Sequence, residues 1–219
     1  MKTAERILLT ALELFNEQGE NAITSVDIAM ELDISPGNLY YHYKGKEVII
    51  EALMGFHKKQ LLNSLNRSLV ENIHAEDLFY YFYILLEKLD LFRFLYRSPV
   101  DIAEKYPSIQ SAQKQLLKAL DSQLEAIFIN LQRTNEITLS SYERPLMVET
   151  LTLLMTQAGQ SSKPFLKQST EARLYHVLSL MMVNLLPRLK LPESAITHIL
   201  NAIQSHSVSH LNSNLPDLS

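Results

Sequence analysis

The sequence predicts an all-α protein, with three short helices at the N-terminus followed by a larger helical domain. Apolar residues recur at helical spacing along the chain, and no stretch alternates as a half-buried strand would. Apolar residues make up 47% of the 219 residues, whereas glycine contributes only five, a balance that favours a helical globular protein. Pairs such as Ser98-Pro99 and Tyr106-Pro107 separate the periodic stretches and indicate where helices end.

The first helix is predicted over residues 3–18. Thr3 suits its N-cap, and Gly19 suits the position that follows its last turn. The second helix is predicted to begin at Thr24, which forms a capping box with Asp27 three residues on. The apolar stripe of the first helix comprises Ile7, Leu8, Ala11, Leu12 and Phe15.

A tight turn and a third helix follow the second. Asp33 tolerates the left-handed conformation that such a turn requires. Ser35 is a good N-cap, and Pro36 suits the first helical position because the N–H that it lacks has no partner there. Leu39 and Tyr43, four residues apart, are predicted to anchor this helix inward. Two short helices joined by a four-residue turn, with a supporting helix before them, form a helix-turn-helix unit.

The outer face of the third helix carries side chains suited to DNA, and the second helix of such a unit enters the major groove. Gly37 allows close approach of the backbone, at a cost to the helix of about 1 kcal/mol relative to alanine. The Asn38 amide is able to pair with adenine, which is worth about 1–3 kcal/mol of discrimination. Candidate phosphate ligands are Tyr40, Tyr41, His42 and Lys46, and the N-termini after Thr24 and Ser35 offer free N–H groups.

The segment "TSVDIAMELDISPGNLYYHYKGKEVIIEAL", residues 24–53, resembles the DNA-binding domain of the tetracycline-repressor family of bacterial transcriptional regulators. The segment "ERILLTALELFNEQG" is similar to the first helix of that family. The resemblance covers residues 3–53, and the rest of the chain is similar only in being all-helical and of suitable length. It implies a helix-turn-helix domain followed by a helical ligand-binding and dimerisation domain. The DNA-binding residues predicted in this way are Thr24, Ser25, Ser35, Pro36, Gly37, Asn38, Tyr40, Tyr41, His42 and Lys46.

The N-terminal region departs from the family pattern in its charge. Val26 and Pro36 stand where many members have a basic residue, and Asp33 replaces the usual turn glycine. Residues 1–60 contain six Lys/Arg and nine Asp/Glu, a net charge of −3, and the whole chain carries −4. Because each lost phosphate contact lowers the salt dependence by roughly 0.9 in slope, we expect weaker salt dependence than in a more basic relative.

Beyond the first three helices, a long helix is predicted from Lys46 to about Leu69. The domains are therefore expected at residues 1–46 for DNA binding and 47–206 for ligand binding and dimerisation, with 207–219 as a frayed tail. Further helices are predicted over residues 77–97, 108–132, 142–160, 170–186 and 193–205, with an additional break at "SSKP", residues 161–164.

Five consecutive aromatic residues, Phe79 to Tyr83, point around a whole helix, which must therefore be buried on several sides or line a cavity. A plain aromatic core explains this run, and so does a ligand pocket, since pockets are mostly apolar. Glu87, Asp90 and Arg93 are either polar groups of such a pocket or part of a solvated face. The predicted ligand-binding residues are Met54, His57, Leu61, Phe79, Tyr80, Phe82, Tyr83 and Phe92.

Two late helices carry strongly apolar stripes. By the resemblance, two late helices of each subunit pack as a four-helix dimer interface, although intrachain core also explains part of the stripes. A two-fold dimer would double the DNA sequence that one short helix reads. The stripes comprise Leu146, Met147, Leu151, Leu154 and Met155, then Leu174, Val177, Leu178, Met181, Met182 and Leu185.

The composition argues against other functional classes. Without cysteine, neither disulfides nor thiolate metal sites form, which fits the cytoplasm. The residues "MKTAERILLT" lack the apolar core of a signal peptide, and no stretch approaches the 18 apolar residues of a membrane span. His198, His206 and His210 suggest an exposed tail rather than a metal site, and no catalytic motif or cofactor loop is recognisable, so no enzyme activity and no cofactor are expected.

These observations predict a cytoplasmic, homodimeric transcriptional repressor that binds a two-fold double-stranded DNA operator. A small apolar or aromatic effector is expected to release it, with no membrane partner. The alternative is a helical small-molecule carrier or enzyme that has kept a non-functional helix-turn-helix, and the acidic N-terminal region is the feature that favours it. An activator or global regulator also remains open, because repression depends on where the DNA site lies.

Overall fold

The computed structural model describes residues 2–157 and 169–212. Within these ranges the chain forms twelve α-helices and no β-strand, which confirms the all-α prediction. The helices are α1 (Thr3–Gln18), α2 (Ser25–Glu31), α3 (Pro36–His42), α4 (Lys46–Leu62), α5 (Arg67–Asn72), α6 (Leu78–Asp90), α7 (Phe94–Arg97), α8 (Pro99–Lys105), α9 (Pro107–Arg133), α10 (Glu143–Thr156), α11 (Thr170–Leu185) and α12 (Glu193–Asn212).

The first three helices form the predicted unit. The apolar stripe of α1 is buried, and α1 packs against α2 and α4 while α2 packs against α3. Asp33 has a φ of 54°, the left-handed conformation expected for the turn. Helix α1 has its predicted bounds, but because it begins at Thr3 the N-cap is Lys2 rather than Thr3.

The long helix predicted from Lys46 to Leu69 ends at Leu62 instead. The polar residues Asn63, Ser64 and Asn66 interrupt it, and the Asn66 side chain accepts a hydrogen bond from the Leu69 backbone N–H at 2.8 Å, which caps α5. Asparagine and serine compete with the helical hydrogen bonds of the backbone, so they favour a new cap over continuation.

The helix predicted over residues 77–97 is also divided. Helix α6 ends at Asp90, and a turn leads into the four-residue α7. Asn16 of α1 donates to the Leu91 carbonyl at 2.9 Å and accepts from the Phe94 N–H at 3.1 Å. A side chain from α1 therefore replaces helical hydrogen bonds at this point, and the bend lets Phe92 and Phe94 both be buried.

The larger domain is built around α9, which packs against α4, α5, α8 and α10, while α6 packs against α4, α10 and α11. Helix α8 was not predicted; it begins at Pro99, where the sequence indicated only a break. The helix predicted to reach Gln160 ends at Thr156, and "SSKP" lies outside the described residues. Helix α12 continues to Asn212, beyond the predicted end at Ser205, and residues 213–219 lie outside the described ranges.

Candidate nucleic-acid interface

Helix α2 begins at a reciprocal capping box. The Asp27 N–H donates to the Thr24 hydroxyl at 3.2 Å, and the Thr24 N–H donates to the Asp27 carboxylate at 2.7 Å. The Thr24 hydroxyl also donates to that carboxylate, at 2.6 Å, and this hydrogen bond lowers the pKa of Asp27. The capping box stabilises the helix start, but it also places a negative charge where a phosphate would approach.

Helix α3 starts as the sequence predicts. The Ser35 hydroxyl accepts a hydrogen bond from the Asn38 N–H at 3.1 Å, and Pro36 occupies the first helical position. Leu39 is fully buried in the core, and the half-buried Tyr43 donates its hydroxyl to the Ala4 carbonyl at 3.3 Å. These two contacts fix which face of α3 is turned outward.

The outward face of α3 carries most of the predicted DNA-binding residues. Tyr41 is 82% exposed and Tyr40 is 60% exposed, and Gly37, Asn38 and His42 are also exposed. Beyond the local helix backbone of the described residues, a Cβ atom added to Gly37 would meet the Ser35 hydroxyl oxygen at 3.9 Å, an ordinary van der Waals contact. Packing among the described residues therefore does not require glycine at this position, and close approach of the backbone to DNA stays a prediction.

Lys46 differs from the other predicted DNA-binding residues because its ammonium group is turned into the protein. It donates to the carbonyls of Glu20 and Ile23, each at 2.9 Å, and lies 2.8 Å from the Glu20 carboxylate. An ammonium group has three N–H donors, and these three acceptors use all of them. A phosphate contact by Lys46 stays a prediction, and it would require one of these bonds to be exchanged.

The predicted ligand-binding residues divide into a buried set and an outer set. Tyr83 is half-buried and Tyr80 is exposed, with its hydroxyl 2.8 Å from Nε2 of His198. His57 is fully buried. The other buried members are Met54, Leu61, Phe79, Phe82 and Phe92.

His57 is the polar centre of the buried set. Its Nε2 atom lies 2.6 Å from the Tyr96 hydroxyl, and its ring centroid lies 4.8 Å from that of Phe92, with the two rings tilted by 38°. Nδ1 of His57 has no hydrogen-bond partner among the described residues. Burial lowers the pKa of His57 to about 4, so the imidazole is neutral at physiological pH. No role was predicted for Tyr96, because its partner His57 lies 39 positions away.

An open groove of about 510 Å³ runs between α5 and α6. Of the predicted ligand-binding residues, Tyr80 borders it, together with Tyr81 and Ile84 of the same helix. Its volume is within the range of small-molecule sites. Phe79 and Phe82 belong to the core, so the prediction that the aromatic run lines a ligand cavity stays a prediction.

The apolar stripes of α10 and α11 are mostly buried within the chain, as the intrachain alternative proposed. Leu146 is the member of the predicted set that stays exposed. Three further apolar side chains on these helices, Leu153, Leu180 and Val183, are also exposed, the last of them by 72%. Together, Leu146, Leu153, Leu180 and Val183 are referred to below as the exposed apolar face.

Two further features of the described residues bear on the predictions. Among those residues no helix combines the length and the apolar character that a bilayer span requires. Within the same ranges, no cluster of three or more histidine, aspartate or glutamate side chains has the arrangement of a metal site.

Comparison with known proteins identifies both parts of the chain. Residues 7–53 match the family model described as bacterial regulatory proteins of the tetR family, and residues 57–195 match that described as bacterial transcriptional repressor. The transcriptional regulator UidR of Escherichia coli K12 is 36% identical over 75 residues, which span 34% of this chain and only 38% of UidR.

Two further relatives extend over more of the chain. The negative transcriptional regulator IcaR of the biofilm operon icaADBC in Staphylococcus epidermidis is 26% identical over 148 residues, covering 64% of this chain and 69% of IcaR. The crystal structure of a TetR-family transcriptional regulator from Marinobacter aquaeolei VT8 superposes with a TM-score of 0.79 at 27% identity. That superposition covers 94% of this chain and 99% of the other.

Proposed function

The chain belongs to the tetracycline-repressor family of bacterial transcriptional regulators, and we propose that it is a repressor that binds a two-fold operator as a homodimer and is released by a small apolar effector. The observation that carries the proposal is the exposed face of α3, where a bare glycine, an amide and two tyrosines project from a helix that Leu39 anchors in the core. Because bacterial operators lie in the cytoplasm, the protein acts there.

In this proposal the exposed face of α3 enters the major groove. Gly37 allows the backbone to approach the bases, and the Asn38 amide pairs with adenine. The remaining predicted contacts bind phosphates, so they fix the register of the protein on the DNA and do not read its sequence. Those contacts are Thr24, Ser25, Ser35, Pro36, Tyr40, Tyr41 and His42, with Lys46 joining them only if its ammonium group leaves its present acceptors.

The homodimer forms through the exposed apolar face. Its four side chains lie on α10 and α11, two helices that pack on each other, and their burial against a second copy would remove apolar area from water. A two-fold axis there would set the two α3 helices a fixed distance apart. For adjacent half-sites on one face of DNA, that distance is about 34–36 Å or a multiple.

In this proposal the effector binds beside α4, the helix that connects the ligand-binding region to α3. Helix α4 follows α3 after three residues, and its later turns contribute Met54, His57 and Leu61 to the aromatic region. Nδ1 of His57, which has no hydrogen-bond partner among the described residues, supplies a polar group within these apolar surroundings, and its neutral imidazole suits an uncharged effector. Binding there shifts α4 and with it α3, to the extent that the effector prefers the non-binding spacing.

Fluorescence anisotropy with a palindromic fragment from beside the gene, and with a scrambled fragment, tests this function. We expect the palindrome to bind about 10³-fold more tightly than the scrambled fragment at physiological salt. A hydrophobic compound that raises the melting temperature should weaken binding in the same assay. Equal affinity for the two fragments at low and high salt would contradict the proposal and favour an idle helix-turn-helix.

A further inference from the structure

A buried carboxylate joins the DNA-binding unit to the larger domain. Glu20 lies in the short turn after α1 and is only 6% exposed, although a buried carboxylate without partners would be costly. One of its oxygens, Oε1, accepts a hydrogen bond from the Tyr106 hydroxyl at 2.5 Å. The same oxygen lies 2.8 Å from the Lys46 ammonium group and 2.9 Å from that of Lys105. These four residues are called the Glu20 junction below.

The three partners of Glu20 come from two different parts of the chain. Lys46 is the first residue of α4 and lies four positions after the end of α3, whereas Lys105 ends α8 and Tyr106 precedes α9. Lys105 also donates to the Asn21 side chain at 3.0 Å, which makes a second bond across the same boundary. The junction therefore ties the corner between α8 and α9 to the turn between α1 and α2 and to the start of α4.

Glu20 supplies the negative charge that holds the two lysines of the junction together. Two ammonium groups share one carboxylate oxygen, so removal of the negative charge would leave two cations close together with no anion between them. Burial raises the pKa of Glu20, but the hydrogen bonds from Lys46, Tyr106 and Lys105 outweigh burial and lower it overall. The carboxylate is therefore ionised at neutral pH, and the junction is complete under physiological conditions.

A separate contact keeps the two domains attached if the junction is broken. Asn16 of α1 binds the backbone between α6 and α7, and the rings of Phe15 and Phe94 lie 5.3 Å apart. Because this contact and the packing of α1 on α4 remain, loss of the junction leaves the helix-turn-helix unit in contact with the larger domain but less restrained in orientation.

We propose that Glu20 is a positioning residue for operator binding, which holds the helix-turn-helix unit in one orientation relative to the corner between α8 and α9. The expected effect on operator binding rests on the proposed function, whereas the geometry of the Glu20 junction does not. A change at the corner reaches α3 through Glu20 and Lys46 without passing along the whole of α4.

The test uses Lys105→Met, which removes one cation and its bonds while leaving the pair of Glu20 and Lys46, and Glu20→Gln as a second variant. Because the chain has no cysteine, spin labels attach only at the introduced residues Leu9→Cys on α1 and Lys114→Cys on α9. Both positions are exposed. Labelled protein is diluted with unlabelled protein, so that the measured distance lies within one chain. Lys118→Met, an exposed lysine of α9, is the matched control.

We expect the distance distribution to broaden about twofold in Lys105→Met and in Glu20→Gln, and operator affinity to fall fivefold or more, the lower end of measured couplings between sites. Lys118→Met should change neither. An unchanged distribution in both junction variants would overturn the proposal, whether or not the parent protein binds DNA. A broadened distribution with unchanged operator affinity would also overturn it, whereas failure of the parent to bind the palindrome would count against the proposed function alone.

Discussion

Replacing Tyr41 with alanine should abolish operator binding without destabilising the protein. Tyr41 is 82% exposed on α3, so the substitution removes little buried surface, and surface changes of this kind usually alter stability by less than about 0.5 kcal/mol. A hydrogen bond to a charged group such as a phosphate is worth about 1.5–3 kcal/mol. Since a homodimer carries the change twice, we expect affinity to fall by roughly 100-fold or more, measured by fluorescence anisotropy.

Two controls accompany this variant. Tyr41→Phe keeps the ring and removes only the hydroxyl, so it separates the hydrogen bond from stacking or packing on the DNA backbone. Thermal unfolding of both variants should match the parent. Undiminished operator affinity in Tyr41→Ala would remove Tyr41 from the interface, and a large fall in melting temperature would assign it a structural role instead.

Replacing Val183 with glutamate should convert the dimer into a monomer. Val183 is the most exposed member of the exposed apolar face, and the two-fold axis would bury both introduced carboxylates at the interface. Burying an unpaired charge costs several kcal/mol per ion, so dimerisation should weaken by roughly 100-fold or more. Analytical ultracentrifugation should then report the 25.1 kDa mass of one chain instead of twice that mass.

Val100→Glu provides the matched control for the dimer. Val100 lies on α8 and is 66% exposed, so the substitution adds the same charge at a similarly exposed valine outside the exposed apolar face. This control should remain dimeric. If Val183→Glu also stays dimeric at the same concentrations, the subunits meet elsewhere and the proposed position of the two-fold axis is wrong.

The local features of the helix-turn-helix unit were predictable because each depends on residues that are close in sequence. Thr24 and Asp27 of the capping box are three positions apart, as are Ser35 and Asn38 of the next cap, and the left-handed turn requires only Asp33 itself. Residue pairs at this short spacing can be recognised in the sequence alone.

The break between α6 and α7 and the buried polar groups were not predictable because their partners are distant. The end of α6 depends on Asn16, which lies 75 residues before the carbonyl that it binds. In the sequence, Glu20 looks like one more solvated charge in an acidic region. Two of its partners, Lys105 and Tyr106, are more than 80 positions away and leave no local signal. The local hydrophobic pattern contains no trace of either contact. The end of α6 and the role of Glu20 therefore become visible only in the folded structure.

The apolar stripes of α10 and α11 illustrate a different difficulty. Both helices are apolar on more than one side, so the pattern predicts burial without indicating whether the chain or a partner covers each side. Met147 and Leu151 are covered by the chain, whereas Leu153 is left exposed. Only the packing of neighbouring helices distinguishes the two sides.

The most direct test of the central claim, that the bare edge of α3 faces DNA, compares Gly37→Ala with Gly55→Ala. Both glycines are exposed helical residues at which an added Cβ has room, so each substitution should raise stability by up to about 1 kcal/mol. Operator affinity should fall tenfold or more in Gly37→Ala alone, because its methyl group would occupy the space of close approach. Equal operator affinity of the two variants would contradict the assignment of α3 as the recognition helix.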